Sequence, residues 1–134
     1  MKEEIVRVRD VMTQDFDRID GMATISEALS RMKAINARCL VVNKRHDDDE
    51  HGFLLLSDIA RKVLAPNRAP ERVNVYEVMA KPTICVEPEM NIRYCARLFD
   101  NFRLTRAPVV DQRGNVVGVV SFADLVLQGL CRSV

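Results

Sequence analysis

Apolar positions follow the same order twice along this chain. Short alternating runs, FDRI at 16–19 and TICV at 83–86, predict strands. Each is followed by apolar residues at helical spacing, namely Ile25, Ala28, Leu29 and Met32, then Ile92, Cys95, Ala96 and Phe99. Two further apolar runs joined by a polar turn then lead into a second helical segment, SDIARKVL or ADLVLQGL. The pattern predicts a β-α-β-β-α unit that occurs twice.

The residues themselves also repeat. DVM at 10–12 returns as EVM at 77–79, CLVV at 39–42 matches APVV at 107–110, and GFLLLSDIA at 52–60 matches GVVSFADLV at 118–126. We therefore predict repeat 1 at 7–64, a linker at 65–74 that contains APNRAP, and repeat 2 at 75–131. Because a unit of this size buries little surface alone, we expect an α/β (α+β) fold in which the two pseudo-symmetric repeats pack sheet to sheet.

Ser121 and Asp124 stand where the last predicted strand meets its helix. This spacing is typical of a helix cap, as is TISE at 24–27, which predicts a capping box between Thr24 and Glu27. A carboxylate at this position also suits the two hydroxyls of a ribose, and Arg106, just before the paired strand, suits a phosphate. Cap and ligand contact are compatible, and the residues alone leave both open.

Composition narrows the function classes. The 20 basic and 19 acidic residues give a net charge of +1, which does not favour nucleic-acid binding. The sequence shows no phosphate-binding glycine loop, nucleophile elbow or paired histidines beside a nucleophile, so we do not expect an enzyme. No apolar run approaches the roughly 18 residues that span a membrane. With no C-x-x-C pair among the four cysteines and no apolar signal segment, we expect a cytoplasmic protein.

The segment NKRHDDDEHG at 43–52 fills the predicted hairpin of repeat 1. Two histidines that flank four acids are compatible with a divalent metal. A solvated, charged hairpin tip is the simpler interpretation, and we predict no metal site and no required cofactor.

The segments VRDVMT and PVVDQRGNVVGVVSFADL, together with the duplicated unit, resemble a tandem cystathionine-β-synthase (CBS) domain pair of the stand-alone bacterial type over about residues 7–130. The resemblance implies binding of an adenosine ligand, such as AMP, ADP, ATP or S-adenosylmethionine, in the clefts between repeats. It assigns ribose contacts to Asp124 and Ser121, and a phosphate contact to Arg106 beside Thr105. The adenine wall then falls on Met12, Thr13, Asp17, Asn36 and Ala37.

The resemblance places a mirror site in repeat 1. Its residues are Asp58, Arg38, Met79, Ala80, Thr83 and Ile84. Leu55 stands where the family has Ser or Thr, which removes a hydroxyl contact. The hypothesis is one good site around Asp124 and one weaker site around Asp58.

The favoured function is a regulatory, energy-sensing module that binds an adenine nucleotide and signals through a dimer or partner surface. AMP is favoured because Arg106 alone indicates few phosphates. A homodimer is expected, an unknown effector protein is possible, and neither nucleic acid nor membrane is expected. The alternatives are a ligand-free structural or protein-interaction CBS pair, or a metal-binding accessory protein.

Overall fold

The computed structural model describes residues 4–131 and has the predicted mixed α/β class. Its helices are α1 (Val8–Val11), α2 (Ile25–Ile35), α3 (Leu56–Ile59), α4 (Ile92–Phe102) and α5 (Phe122–Leu130). Its strands are β1 (Arg18–Ile19), β2 (Cys39–Val42), β3 (Gly52–Leu55), β4 (Arg106–Val110) and β5 (Val116–Ser121). Within residues 4–131, no helix combines the length and the apolar character needed to cross a membrane.

The chain forms two compact units. Phe16–Thr83 is the continuous unit, and the described residues of Met1–Asp15 and Ile84–Val134 form the discontinuous unit. Each has its own apolar core. The unit boundaries therefore fall at different places from the boundaries of the sequence repeats.

The continuous unit is built on a three-stranded sheet. β1 runs parallel to β2, and β2 pairs antiparallel with β3. Helix α2 buries Ile25, Ala28 and Met32, three members of its predicted apolar stripe. The Thr24 hydroxyl accepts a hydrogen bond from the Glu27 backbone nitrogen at 3.1 Å, so the predicted helix start is confirmed.

The discontinuous unit is built on the β4–β5 hairpin and on α4, which buries Cys95 and Phe99. The segment TICV, predicted as a strand, contributes one isolated parallel bridge between Val86 and Val109. Burial raises the pKa of the Cys95 thiol to about 11, so this cysteine packs as a neutral apolar residue.

The segment that leads into each sequence repeat packs in the core of the unit that contains most of the other repeat. Val8 and Val11 of α1 are buried with Phe99 and Leu125. The Val8 nitrogen donates to the Met90 carbonyl at 2.8 Å, and the Val75 nitrogen donates to the Ala23 carbonyl at the same distance. Equivalent hydrogen bonds therefore fix the two leading segments, and residues 4–15 fold with the second repeat.

The helices that follow the two hairpins differ in form. In the discontinuous unit α5 is regular from Phe122 to Leu130. In the continuous unit α3 ends at Ile59 and continues as a π-helical turn, Ala60–Leu64, in which the Ala65 nitrogen donates to the Ala60 carbonyl at 2.9 Å. This wider turn carries Arg61 close behind Asp58.

Candidate functional site

The β4–β5 hairpin brings three predicted site residues to one end of a strand pair. Arg106 lies directly opposite Ser121 in the antiparallel register. Thr105 precedes Arg106, and its carbonyl accepts a hydrogen bond from the Phe122 nitrogen at 2.8 Å. The hairpin thus places Arg106, a half-buried residue, opposite the residue that caps α5, as the sequence predicts.

Ser121 and Asp124 form a complete capping box. The Ser121 hydroxyl accepts a hydrogen bond from the Asp124 nitrogen at 3.0 Å, and Asp124 Oδ2 accepts one from the Ser121 nitrogen at 3.2 Å. Both residues are half-buried. Because the cap engages one of the two carboxylate oxygens, it fixes the orientation of Asp124 and remains compatible with a ligand contact.

Met12 and Thr13 lie on the other side of β5. Thr13 and Val119 exchange two backbone hydrogen bonds of 2.8 and 2.9 Å, at a position two residues along β5 from Ser121. The Met12 sulfur lies against Gly118, where an added β-carbon would approach it to 2.7 Å. The discontinuous unit therefore holds six residues of the predicted main site, namely Met12, Thr13, Thr105, Arg106, Ser121 and Asp124.

The other three residues of the predicted main site belong to the continuous unit. Asp17 accepts a hydrogen bond from the Arg18 nitrogen at 2.8 Å and lies 3.8 Å from Arg31 Nη1. Asn36 ends α2 in the left-handed conformation, with φ of 52°. Ala37 follows it, and its nitrogen donates to the Met32 carbonyl at 2.8 Å. Each of the three residues is thus held by hydrogen bonds within the continuous unit.

The strand pairing in the two hairpins gives a different correspondence between the repeats from the sequence match of CLVV with APVV. Val42 lies opposite Gly52, just as Val109 lies opposite Gly118. Counted from these pairs, Cys39 is the counterpart of Arg106, and Arg38 is the counterpart of Thr105. The structural register is therefore displaced by one residue from the alignment of APVV with CLVV, and between Val109 and Val110 a bulge skips Val117 of β5. The position of repeat 1 that corresponds to Arg106, the predicted phosphate contact, therefore carries a buried cysteine.

Asp58, the acid of the predicted weaker site, is buried and forms an ion pair with Arg61. Leu55 begins α3 without a side-chain cap. Met79 packs against Gly52, and Ala80 pairs with Phe53, in the same way as Met12 and Thr13 in the other unit. Thr83 and Ile84, both half-buried, lie on either side of the boundary between the units. Sequence reasoning missed Arg61, although its spacing of three residues from Asp58 was a usable signal.

A cavity of about 550 Å³ lies in the continuous unit, at the hairpin end of β2. Val42, Tyr76 and Met79 provide apolar walls, and Arg45, Glu50 and Lys81 provide charge. Of the residues predicted for the weaker site, Met79 lines this cavity, whereas Arg38 and Asp58 lie at the opposite end of the hairpin.

The acidic segment at 43–52 is organised by ion pairs. Asp49 Oδ2 accepts hydrogen bonds from Lys81 Nζ at 2.6 Å and from the Arg45 nitrogen at 3.0 Å. The Lys81 ammonium, followed by the Arg45 backbone, lowers the pKa of Asp49 far below its ordinary value of 3.8. Across residues 4–131, no three His, Cys, Asp or Glu side chains are grouped as metal ligands.

Comparisons with known proteins agree on the fold. A hexameric CBS-CP12 protein from bloom-forming cyanobacteria superposes with a TM-score of 0.90 at 37% identity, over 94% of this chain and 69% of that one. The CBS domain pair solved with 5′-methylthioadenosine and S-adenosyl-L-methionine has a TM-score of 0.82, over 96% of this chain and 99% of that one. At 22% identity, that second likeness shows the fold alone.

Sequence relatives are longer than the matched region. An uncharacterized protein of Methanopyrus kandleri is 28% identical over 87 residues, which cover 65% of this chain and 43% of that protein. A match to a Methanocaldococcus jannaschii protein covers 33% of its length. The CBS domain model itself matches twice, at residues 8–65 and 75–128, and so covers most of the sequence. The chain belongs to the CBS domain family, as a tandem pair of such domains.

Proposed function

We propose that this CBS pair is a regulatory module that binds an adenosine-containing ligand at the Asp124 site, with AMP favoured over ATP. The observation that carries the proposal is the register that sets Arg106 opposite Ser121, beside the capped Asp124. An acid for a ribose and a cation for a phosphate then belong to one strand-helix junction. The solved pair that holds 5′-methylthioadenosine and S-adenosyl-L-methionine supports the ligand class.

The chemistry of the residues sets the order of preference among ligands. A carboxylate that is already oriented by the Ser121 nitrogen accepts hydrogen bonds from two neighbouring hydroxyls without further ordering. Arg106 offers one bidentate cation, which matches one phosphate better than three. Thr13, exposed beside β5, and half-buried Met12 provide a short wall for a flat base.

A thermal-shift panel with AMP, ADP, ATP and S-adenosylmethionine tests the proposal. A ligand at about 1,000 times its Kd stabilises the folded chain by roughly 4 kcal/mol, which raises the melting temperature by several degrees. Asp124→Asn keeps an oxygen for the cap but removes the charge, so it should abolish the shift. Asp58→Asn, the matched change in repeat 1, should leave it nearly intact. No shift with any of the four ligands in the unaltered chain contradicts the proposal.

Self-association is the second part of the proposal. Exposed apolar side chains lie on α4 and α5 of the discontinuous unit, namely Tyr94, Phe102, Val126, Leu127 and Leu130. At the five equivalent positions the continuous unit carries Glu27, Ile35, Ala60, Arg61 and Leu64, so two charged residues interrupt its apolar surface. The proposed occupant of the apolar face is a second copy of this chain, since an isologous dimer buries the same patch on both copies. The hexameric CBS-CP12 protein supports assembly through copies of such chains.

The ligand-free interaction module remains the competing function. Self-association through the apolar α4–α5 face, without binding of any adenosine ligand, would favour the interaction module. Sedimentation with and without AMP separates the two functions, because a sensor changes its association or its stability with ligand and a purely structural pair changes neither.

A further inference from the structure

Asp58 and Arg61 form a contact that has no counterpart in repeat 2. The Asp58 side chain is 9% exposed, whereas the Arg61 side chain is 70% exposed and reaches back to it from the π-helical turn. The guanidinium Nη2 donates a hydrogen bond to Asp58 Oδ1. The buried carboxylate is thus already joined to a cation of the same chain.

Repeat 2 has a different arrangement at the same positions. Asp124 there receives the Ser121 nitrogen in a capping box, and the residue that corresponds to Arg61 is Leu127. In repeat 1 the capping position is Leu55, which makes no side-chain hydrogen bond. Each acid therefore has a partner, but the partner of Asp124 is a backbone group and the partner of Asp58 is a side chain.

We propose that Arg61 acts as an internal occupant of the repeat 1 site and thereby limits the chain to one adenosine ligand. The inference rests on the proposed function, because it concerns the acid equivalent to the ribose-binding Asp124. A charge-assisted hydrogen bond from a guanidinium is stronger than one from a neutral hydroxyl. A ribose that approached Asp58 would have to displace Arg61, and the chain carries no phosphate-contact arginine at Cys39 to compensate.

The identity of residue 61 then determines the number of ligands bound. A cation at this position closes the acid to a ribose, whereas an apolar side chain, as at Leu127 in repeat 2, leaves the acid without a competing cation. Replacement of Leu55 by serine supplies a hydroxyl to accept the Asp58 nitrogen, as the Ser121 hydroxyl accepts the Asp124 nitrogen in repeat 2. The double variant Leu55→Ser/Arg61→Leu therefore reproduces the repeat 2 arrangement in repeat 1.

Titration calorimetry with AMP, and separately with S-adenosylmethionine, measures this number. The unaltered chain should bind one ligand, and Leu55→Ser/Arg61→Leu should bind two. Leu55→Ser/Arg61→Lys keeps a cation and should remain at one. Addition of Asp58→Asn to the double variant should remove the second binding event. Circular dichroism melts confirm folding, and Leu55→Ser/Arg61→Gln, which keeps a neutral hydrogen-bond partner for the buried acid, replaces the leucine variant if that variant does not fold.

The outcomes separate this inference from the proposed function. If the unaltered chain binds one ligand and the double variant also binds one, the inference is wrong and the function stands. If the unaltered chain binds none and the double variant binds one through Asp58, the function is wrong and the inference stands. If neither binds a ligand, both are wrong. A second site that survives Asp58→Asn also overturns the inference.

Discussion

A β-carbon at Gly118 would lie 2.7 Å from the sulfur of Met12. It would also lie 3.0 Å from the carbonyl oxygen of Thr13, a backbone atom that pairs with Val119. Glycine at this position therefore permits the leading segment of repeat 1 to lie against β5. The lack of a side chain at Gly118 thus determines where Met12 and Thr13, two predicted ligand contacts, can lie.

Gly118→Ala should destabilise the chain by about 1–3 kcal/mol, because overpacking against a backbone carbonyl forces the leading segment away from β5. Urea unfolding measures the change. Gly21→Ala is the control, since its added carbon meets Val42 and Tyr76 side chains at 3.6 and 3.7 Å, which is ordinary contact. Equal losses from the two variants would refute the close approach at Gly118.

Ser121→Ala should cost about 1 kcal/mol of folding stability, because the Asp124 nitrogen at the start of α5 loses its side-chain acceptor. Thermal or urea unfolding without ligand measures this loss. Ser57→Ala, an exposed serine in the first turn of α3, should change stability by less than about 0.5 kcal/mol. If Ser121→Ala leaves the free energy of unfolding unchanged, the capping box contributes nothing to the stability of the ligand-free chain.

The ion pair between Asp49 and Lys81 should make the free energy of unfolding fall at acidic pH. Because its folded-state pKa is lowered, the stabilising contribution is present above the unfolded value of about 4 and is lost as the pH falls below it. Asp49→Asn should therefore reduce the difference in stability between pH 6 and pH 3. Asp48→Asn, an exposed acid beside it, should leave that difference unchanged. Urea unfolding at both pH values provides the comparison.

Leu127→Glu should shift the chain towards the monomer if a second copy covers the α4–α5 face, because a carboxylate cannot be buried there unpaired. Leu127 is 62% exposed in the single chain, so its replacement should not disturb the core. Light scattering after size exclusion gives the mass. Gln128→Glu adds the same charge one residue away on α5 and serves as the control. An unchanged mass for Leu127→Glu places any interface elsewhere.

Local patterns in the sequence predicted most of the elements. The helix that starts at Thr24 and the apolar stripe of α4 depend on residues three and four apart, so they are visible in the letters. The same holds for the antiparallel hairpins, because an apolar run on each side of a polar turn specifies them. The side-by-side placement of Arg106 and Ser121 followed from that hairpin alone.

Features that depend on strand register, on an irregular helical turn or on tertiary pairing were not predicted. The pairing in the two hairpins makes Cys39 the counterpart of Arg106, and the similar letters of CLVV and APVV conceal this. The Asp58–Arg61 pair has an i, i+3 spacing that the letters show, but no apolar periodicity specifies the π-helical turn that begins at Ala60. TICV has the composition of a strand, but only Val86 pairs, since strand propensity does not determine how many partners a segment finds.

The division of the chain into units has a consequence for synthesis on the ribosome. Phe16–Thr83 is contiguous, so every residue of its core has been made before Ile84 is added. Val8 and Val11 are made before this unit, whereas their partners Phe99 and Leu125 are made after it. Val8 and Val11 therefore cannot be buried in their own core until the 68 residues of the continuous unit have been made.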